Sequence, residues 1–109
     1  MPQPKKPLGK PVKGLLDYII LQLLNEQPIH GYQVIATIRR TFGINYGPSA
    51  IYPVLGALEE KGYVESRWNT EAARPRKIYA LTPAGKDVLG FAESQFLQAC
   101  QKLKAQAGK

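Results

Sequence analysis

With 109 residues and a mass of 12.1 kDa, the chain has the length of one domain that can bury a core without disulfides or a structural metal. This length excludes a multidomain enzyme, and a content of 44% hydrophobic and 21% charged residues excludes an intrinsically disordered protein. Fifteen Lys and Arg against eight Asp and Glu give a formal charge of +7. Such a charge favours a polyanionic partner, either nucleic acid or an acidic membrane surface, although a solvated basic surface has the same composition.

The sequence begins with a basic segment over residues 1–13, whose prolines and lysines without any acidic residue favour a flexible arm. The single cysteine, Cys100, has no partner for an internal disulfide, and no signal peptide is recognisable, so we expect a cytoplasmic protein. The most apolar stretch, residues 15–24, has half of the ~20 residues that a membrane span needs and includes Asp17 and Gln22. No association with a membrane is predicted.

Two amphipathic helices are predicted in the first half of the chain. Over residues 14–25, apolar residues recur at steps of three and four, which indicates a helix with one buried face. Residues 30–42 have the same spacing, and Gly43 is placed to end this second helix. The residues of the second helix that are predicted to point inward are Val34, Ile35, Ile38 and Phe42.

The third predicted element is less regular, because residues 47–61 keep apolar residues at helical spacing while Pro53 and Gly56 oppose a helix. Pro48 suits a first helical position and Gly62 suits the residue after the last. We therefore predict a helix between these two residues, with one backbone hydrogen bond missing near its start.

A β-hairpin and a long helix are predicted to follow. Residues 63–68 and 77–81 have the alternating faces of strands, and the polar, basic segment 69–76 between them is predicted to be their loop. Thr82 and Pro83 suit the N-cap and first position of a helix that runs to about residue 104. This order predicts a mostly α fold with a small β-hairpin: a winged helix-turn-helix over residues 14–82, preceded by the arm and followed by a C-terminal helix and tail over residues 83–109.

The sequence lacks the residue sets that most enzymes need. His30 is the only histidine, Cys100 lies far from it, and there is no glycine-rich phosphate loop or cluster of metal ligands. We interpret His30 as a helix-start or packing residue and Cys100 as a small core or interface residue. We predict no catalytic site, no metal and no cofactor.

Basic residues fall on the elements that a winged helix turns towards double-stranded DNA. In that fold the third helix enters the major groove and the hairpin flanks it as a wing. Hydroxyl groups lie one turn apart at the start of the third helix, where they suit contacts to phosphates or base edges. The predicted DNA-binding residues are Arg39, Arg40, Ser49, Tyr52, Pro53, Arg74, Arg76 and Lys77. The alternative interpretation of each basic cluster is a solvated face, and the alternative interpretation of Tyr52 is a role in packing.

The last helix carries a heptad pattern. From residue 85 to residue 103, small and apolar residues follow at steps of four and three, which is typical of a seam between two helices. The predicted dimer-interface residues are Leu89, Ala92, Phe96, Ala99 and Leu103, next to Gly85 at the start of the seam. The alternative is a terminal helix that packs back on its own domain.

Several segments together resemble one family. They are residues 14–17 (GLLD), 28–32 (PIHGY), 51–64 (IYPVLGALEEKGYV) and 76–85 (RKIYALTPAG). The sequence resembles the PadR family of bacterial and archaeal transcriptional regulators over nearly everything from residue 14 to residue 103. With about 20 residues after Gly85, it is similar to the short subfamily, which has one C-terminal helix. Gly47 and Pro48 depart from the pattern, because many relatives carry a serine there that can cap the recognition helix.

The resemblance implies a homodimeric repressor that recognises an inverted-repeat operator. Some short members bind planar aromatic or cationic compounds between their two C-terminal helices, so a small aromatic effector is a candidate ligand. In some of those members a tryptophan in the last helix is associated with drug binding. The one tryptophan of this sequence, Trp68, lies instead in the first wing strand. Phe91 and Phe96 are the candidate ligand contacts. The alternative function is a winged-helix module that binds RNA or a protein partner.

Overall fold

The computed structural model of the chain describes residues 14–71 and 73–108. The basic arm predicted for residues 1–13 lies outside the described residues. The elements, in chain order, are α1 (Leu15–Glu26), β1 (Ile29–His30), α2 (Gly31–Phe42), α3 (Pro48–Glu60), β2 (Val64–Asn69), β3 (Arg76–Leu81) and α4 (Pro83–Ala107). The four helices and the hairpin agree with the predicted order.

The sheet has three antiparallel strands in the order β1-β3-β2. The sequence predicted only β2 and β3, since β1 has two residues and leaves no alternating pattern to detect. Ile29 of β1 pairs with Tyr79 of β3, whose other neighbour is Ser66 of β2. The short strand therefore fixes the start of α2 against the hairpin.

The core lies between α1, α2, α3, the first half of α4 and one face of the sheet. Its most deeply buried side chains are Ile20, Leu21, Val34, Ile38, Ile51, Leu55, Leu58, Val64 and Val88. Phe42, which the spacing predicted to point inward, is exposed. It is the last residue of α2 and lies past the core, just before Gly43 reverses the chain with a φ of 72°.

The start of α4 is fixed to the turn that follows α3. The Thr82 hydroxyl donates to the Gly62 carbonyl at 2.6 Å and accepts from the Gly85 N–H at 3.0 Å. Thr82 is therefore the N-cap of α4, as the sequence predicted. A Cβ at position 85 would collide with the Tyr63 carbonyl and with Leu81. Glycine at this position therefore allows α4 to approach the hairpin closely.

Three helices followed by a hairpin make this fold a winged helix-turn-helix, with α3 in the position of the recognition helix and the β2–β3 hairpin as the wing. The fold class predicted from the sequence is confirmed. The buried residues of α4, which are Gly85, Val88, Leu89 and Ala92, lie in its first ten residues, whereas every residue from 93 to 108 is exposed.

Candidate nucleic-acid interface

An open cleft of about 800 Å³ lies between the wing and the starts of α2 and α3. It combines aromatic rings with basic side chains, which is the composition expected of a surface that receives a nucleic-acid strand. The residues that line it are His30, Gly31, Tyr32, Tyr52, Trp68, Arg74, Pro75, Arg76, Lys77 and Tyr79.

The N-terminus of α2 forms one wall of the cleft. His30 is the N-cap residue, and its backbone N–H donates to the Gln33 side-chain oxygen at 3.1 Å. The first N–H groups of a helix and its dipole favour an anion at this end. Tyr32 stands beside them with 67% of its surface exposed. This wall can therefore receive a phosphate group.

Tyr52 of α3 lies across the N-terminus of α2. A Cβ on Gly31 would stand 2.5 Å from Cε1 of Tyr52 and 2.6 Å from its hydroxyl oxygen, so only glycine leaves room for the ring. The hydroxyl group is thereby held beside the start of α2. This position suits a contact to a phosphate more than a contact to a base edge.

The opposite wall comes from the wing, where Trp68 and Lys77 are cross-strand partners and point to the same face. Trp68 is 62% exposed, and its ring is free to contact a ligand in the cleft. The Lys77 Nζ lies 5.9 Å from the centroid of the Tyr79 ring, a cation–π distance that holds the ammonium group over the cleft.

Arg76 links the wing to the start of α2. Its Nη1 donates to Nε2 of His30 at 2.9 Å. Since a guanidinium is only a donor, Nε2 of the imidazole is the acceptor in this contact. Burial lowers the pKa of the His30 imidazole, and the Arg76 charge lowers this pKa further. His30 is therefore neutral at pH 7 and orients Arg76 at the rim of the cleft.

A second contact fixes the wing against α3. The Ser66 hydroxyl donates to Oε2 of Glu59 at 2.7 Å.

Burial raises the pKa of the Tyr79 hydroxyl, with smaller contributions from the Glu59 carboxylate and from Tyr52. Tyr79 thus remains a neutral phenol and adds no negative charge to the cleft.

The structure places the predicted DNA-binding residues in three groups. Tyr52, Arg74, Arg76 and Lys77 come together around the cleft. Ser49 and Pro53 are exposed on the outer face of α3. Arg39 and Arg40 are exposed near the opposite end of α2, about 12 Å along the helix axis from its start.

Sequence reasoning missed Gly31, Tyr32 and Trp68 as members of this site. The segment 28–32 is recognisable as the start of a helix, but its proximity to Tyr52 depends on the packing of α2 against α3. A signal for Trp68 was available, because it lies in a predicted wing strand next to Arg67 and close to the basic wing loop.

The predicted seam of α4 is divided between two environments. Leu89 and Ala92 are each only 5% exposed, because they pack in the core of their own chain. Phe96 makes an edge-to-face contact with Tyr18 of α1, with ring centroids 5.2 Å apart, whereas Leu103 is exposed. The other predicted residues of the helix, Ala99 and Phe91, are exposed, as is Cys100, which therefore does not belong to the core of the chain.

The two candidate ligand contacts do not share a face of α4. Phe91 and Phe96 are five residues apart, which places their side chains about 140° apart around the helix.

Within residues 14–71 and 73–108 there is no group of three His, Cys, Asp or Glu residues that could hold a metal ion. In the same residues no helix is both long and apolar enough to cross a membrane.

Comparison with known proteins identifies the family. The sequence profile of the transcriptional regulator PadR-like family matches residues 20–90. The transcriptional regulator YqjI of Escherichia coli (strain K12) is 33% identical over 94 residues, which cover 84% of this chain and 44% of YqjI. The chain belongs to the PadR-like family of transcriptional regulators. Membership in a family of regulators confirms that it is not an enzyme.

Solved structures of PadR-like and related regulators share the fold. The regulator TA0346 from Thermoplasma acidophilum superposes with a TM-score of 0.73 at 33% identity, covering 85% of this chain and 89% of that one. PadR of Bacillus subtilis, solved in complex with operator DNA, superposes with a TM-score of 0.63 at 31% identity, covering 69% of this chain and 43% of that one. The chain spans less than half the length of YqjI.

Proposed function

We propose that this PadR-like chain is a DNA-binding transcriptional regulator that acts as a homodimeric repressor at an inverted-repeat operator. The observation that carries the proposal is the cleft, where three basic wing residues face the N-terminus of α2. The solved complex of Bacillus subtilis PadR with operator DNA supports DNA as the partner. Action on DNA also agrees with the cytoplasmic location predicted from the single cysteine.

In this proposal the cleft holds one strand of the DNA backbone. Arg74, Arg76 and Lys77 neutralise phosphates from the wing side, and the Tyr52 hydroxyl and the first N–H groups of α2 donate from the other side. Trp68 packs on the deoxyribose that lies between the two walls. The adjoining outer face of α3 then enters the major groove.

The dimer in this proposal forms through α4. The second part of α4, residues 93–107, continues the helix beyond the buried residues, and every one of these residues is exposed. Phe96 and Leu103 lie on the continuation of the buried face of α4 and suit the same face of a second copy. Because Leu89 and Ala92 already pack on their own domain, we place the main interface from Phe96 onward.

A two-fold dimer requires a two-fold DNA site. The two α3 helices of such a dimer are related by symmetry, so they recognise two half-sites of opposite direction about one helical turn apart. A protein bound across both half-sites blocks access to the DNA beneath it, which is the basis of the proposed repression.

The experiment is a selection of binding sites from random DNA duplexes, followed by titrations of the selected duplex and a scrambled duplex at several salt concentrations. Trp68, the only tryptophan, reports binding through its fluorescence. We expect a preference for the selected duplex and an affinity that falls linearly with salt on logarithmic axes. Equal binding of all duplexes, or tighter binding of RNA of the selected sequence, contradicts the proposal.

A further inference from the structure

The outer face of α3 is narrow and well defined. At about 100° per residue, Ser49, Pro53, Gly56 and Glu60 fall within an arc of about 60°, and all four are exposed. The opposite side of the helix carries the buried residues Ile51, Leu55 and Leu58. Apart from Tyr52 in the cleft, this arc is the part of α3 that the proposed function turns towards DNA.

The composition of α3 is unusual for a recognition helix. From Pro48 to Glu60 it contains no Lys, Arg, Asn or Gln, the residues whose side chains make bidentate hydrogen bonds to guanine or adenine. Its only charges are the two acids at its end, and Glu59 already accepts a hydrogen bond from Ser66. Tyr52 is held beside the start of α2, away from the centre of the arc.

The centre of the arc is apolar. Pro53 presents a saturated ring, and Gly56 presents bare backbone, so neither residue offers a side-chain hydrogen bond to a base. In the major groove, the one base feature that an apolar surface can recognise is the 5-methyl group of thymine.

Gly56 has no role in the packing of its own chain. A Cβ at this position would have no atom within 4 Å, and glycine inside a helix lowers its stability by roughly 0.5–1 kcal/mol relative to alanine. The missing side chain leaves the helix backbone at this position open to the close approach of a partner.

We propose that Pro53 and Gly56 form a specificity-determining surface that recognises thymine 5-methyl groups in the major groove. The inference rests on the proposed function, in which α3 enters that groove. Operator preference then comes from methyl contacts and close approach at α3, while the cleft supplies affinity that is independent of sequence.

The first test changes only the DNA. The operator obtained by selection is synthesised with thymine or with uracil in its half-sites, which removes the methyl groups and leaves the hydrogen-bonding edges intact. We expect binding to weaken about fourfold for each buried methyl group, with an unchanged salt slope. Pro53→Ala is expected to reduce the difference between the two duplexes. Equal affinity of the unaltered protein for both duplexes overturns the inference.

The second test changes only the protein. Gly56→Ala and Gly90→Ala each add a methyl group to an exposed helical glycine with no neighbouring atom within 4 Å, and Gly90 lies on α4 and is not part of the proposed DNA surface. Both variants are expected to unfold at a higher temperature than the original protein. Only Gly56→Ala is expected to weaken operator binding, and wild-type affinity in this variant overturns the close approach.

The outcomes separate the inference from the proposed function. A protein that prefers its selected operator but does not discriminate thymine from uracil retains the proposed function and lacks the methyl recognition. A protein with no preference for any duplex loses both.

Discussion

Two exposed surfaces of this chain have opposite chemistry. The cleft combines the cations Arg74, Arg76 and Lys77 with aromatic rings at a helix N-terminus, whereas the second half of α4 exposes Phe96 and Leu103 between polar residues. The cleft has the charge and the donors for phosphates, and the helix has the apolar stripe for another helix. Separate parts of one small chain can thus accommodate two kinds of partner.

A charge placed on the apolar surface should have the strongest consequence. Leu103→Asp would place a carboxylate from each copy in the interface of the dimer, where burial opposes its ionisation. We expect monomers in analytical ultracentrifugation and a loss of operator affinity of about 10²-fold, because two half-sites are no longer bound by linked domains.

Leu103 is a cleaner position for this test than Phe96, whose ring also packs on Tyr18 of the same chain. Gln101→Asp is the matched control, since it adds the same charge to an exposed residue about 160° away around the helix. A Leu103→Asp protein that remains dimeric with full affinity would show that the end of α4 is not the interface.

The next effect concerns the charged surface. Changing Arg74, Arg76 and Lys77 together to alanine should leave the fold intact and weaken binding to every duplex. The logarithmic salt slope should fall by about 0.9 for each phosphate that the protein no longer neutralises. Lys102→Ala with Lys104→Ala removes charge from α4 instead and should change the slope little. An unchanged slope in the triple variant would exclude the wing from the interface.

The order of elements could be predicted from the sequence because its signals are local. Thr82 and Pro83 start α4, and Gly43 and Gly62 end their helices through backbone positions with positive φ. The strand β1 could not be predicted, since two residues carry no periodicity and its pairing with β3 joins segments far apart in the sequence.

The cleft was predicted only in part for a similar reason. The basic wing residues and Tyr52 could be identified by their type and their place in the order of elements. The contribution of Gly31 depends on how closely α2 and α3 pack. Which residues of the α4 seam are buried depends on where the winged-helix domain that packs on α4 ends. A heptad pattern is the same whether its partner is the chain's own core or a second copy.

A smaller effect is expected from the hydroxyl groups. Tyr52→Phe and Ser49→Ala should each cost on the order of 1 kcal/mol of binding free energy. Since Tyr52 is held beside the start of α2, we expect its loss to be equal on operator and scrambled duplexes. Titrations of both duplexes check this, and a loss confined to the operator would assign the Tyr52 hydroxyl to a base instead of a phosphate.

The weakest effect is a dependence of folding stability on pH. Because the pKa of His30 is lowered in the folded chain, the unfolded chain binds a proton more readily. The contribution of His30 to stability is therefore complete above the unfolded pKa of about 6.5 and decreases as the pH falls through that value. The free energy of unfolding, measured by urea titration, should fall less between about pH 8 and about pH 5 in His30→Asn than in the original protein. Identical losses would mean that His30 does not titrate as the structure implies.

If two copies of the chain read the two halves of one operator, the distance between the halves controls binding. The decisive measurement compares the selected inverted repeat with the same repeat carrying 5 additional base pairs between its halves, about half a helical turn. We predict that affinity for the lengthened operator falls to that of a single half-site, because the second half then faces away from its recognition helix. Equal affinity for the two duplexes would contradict the homodimeric mode of binding.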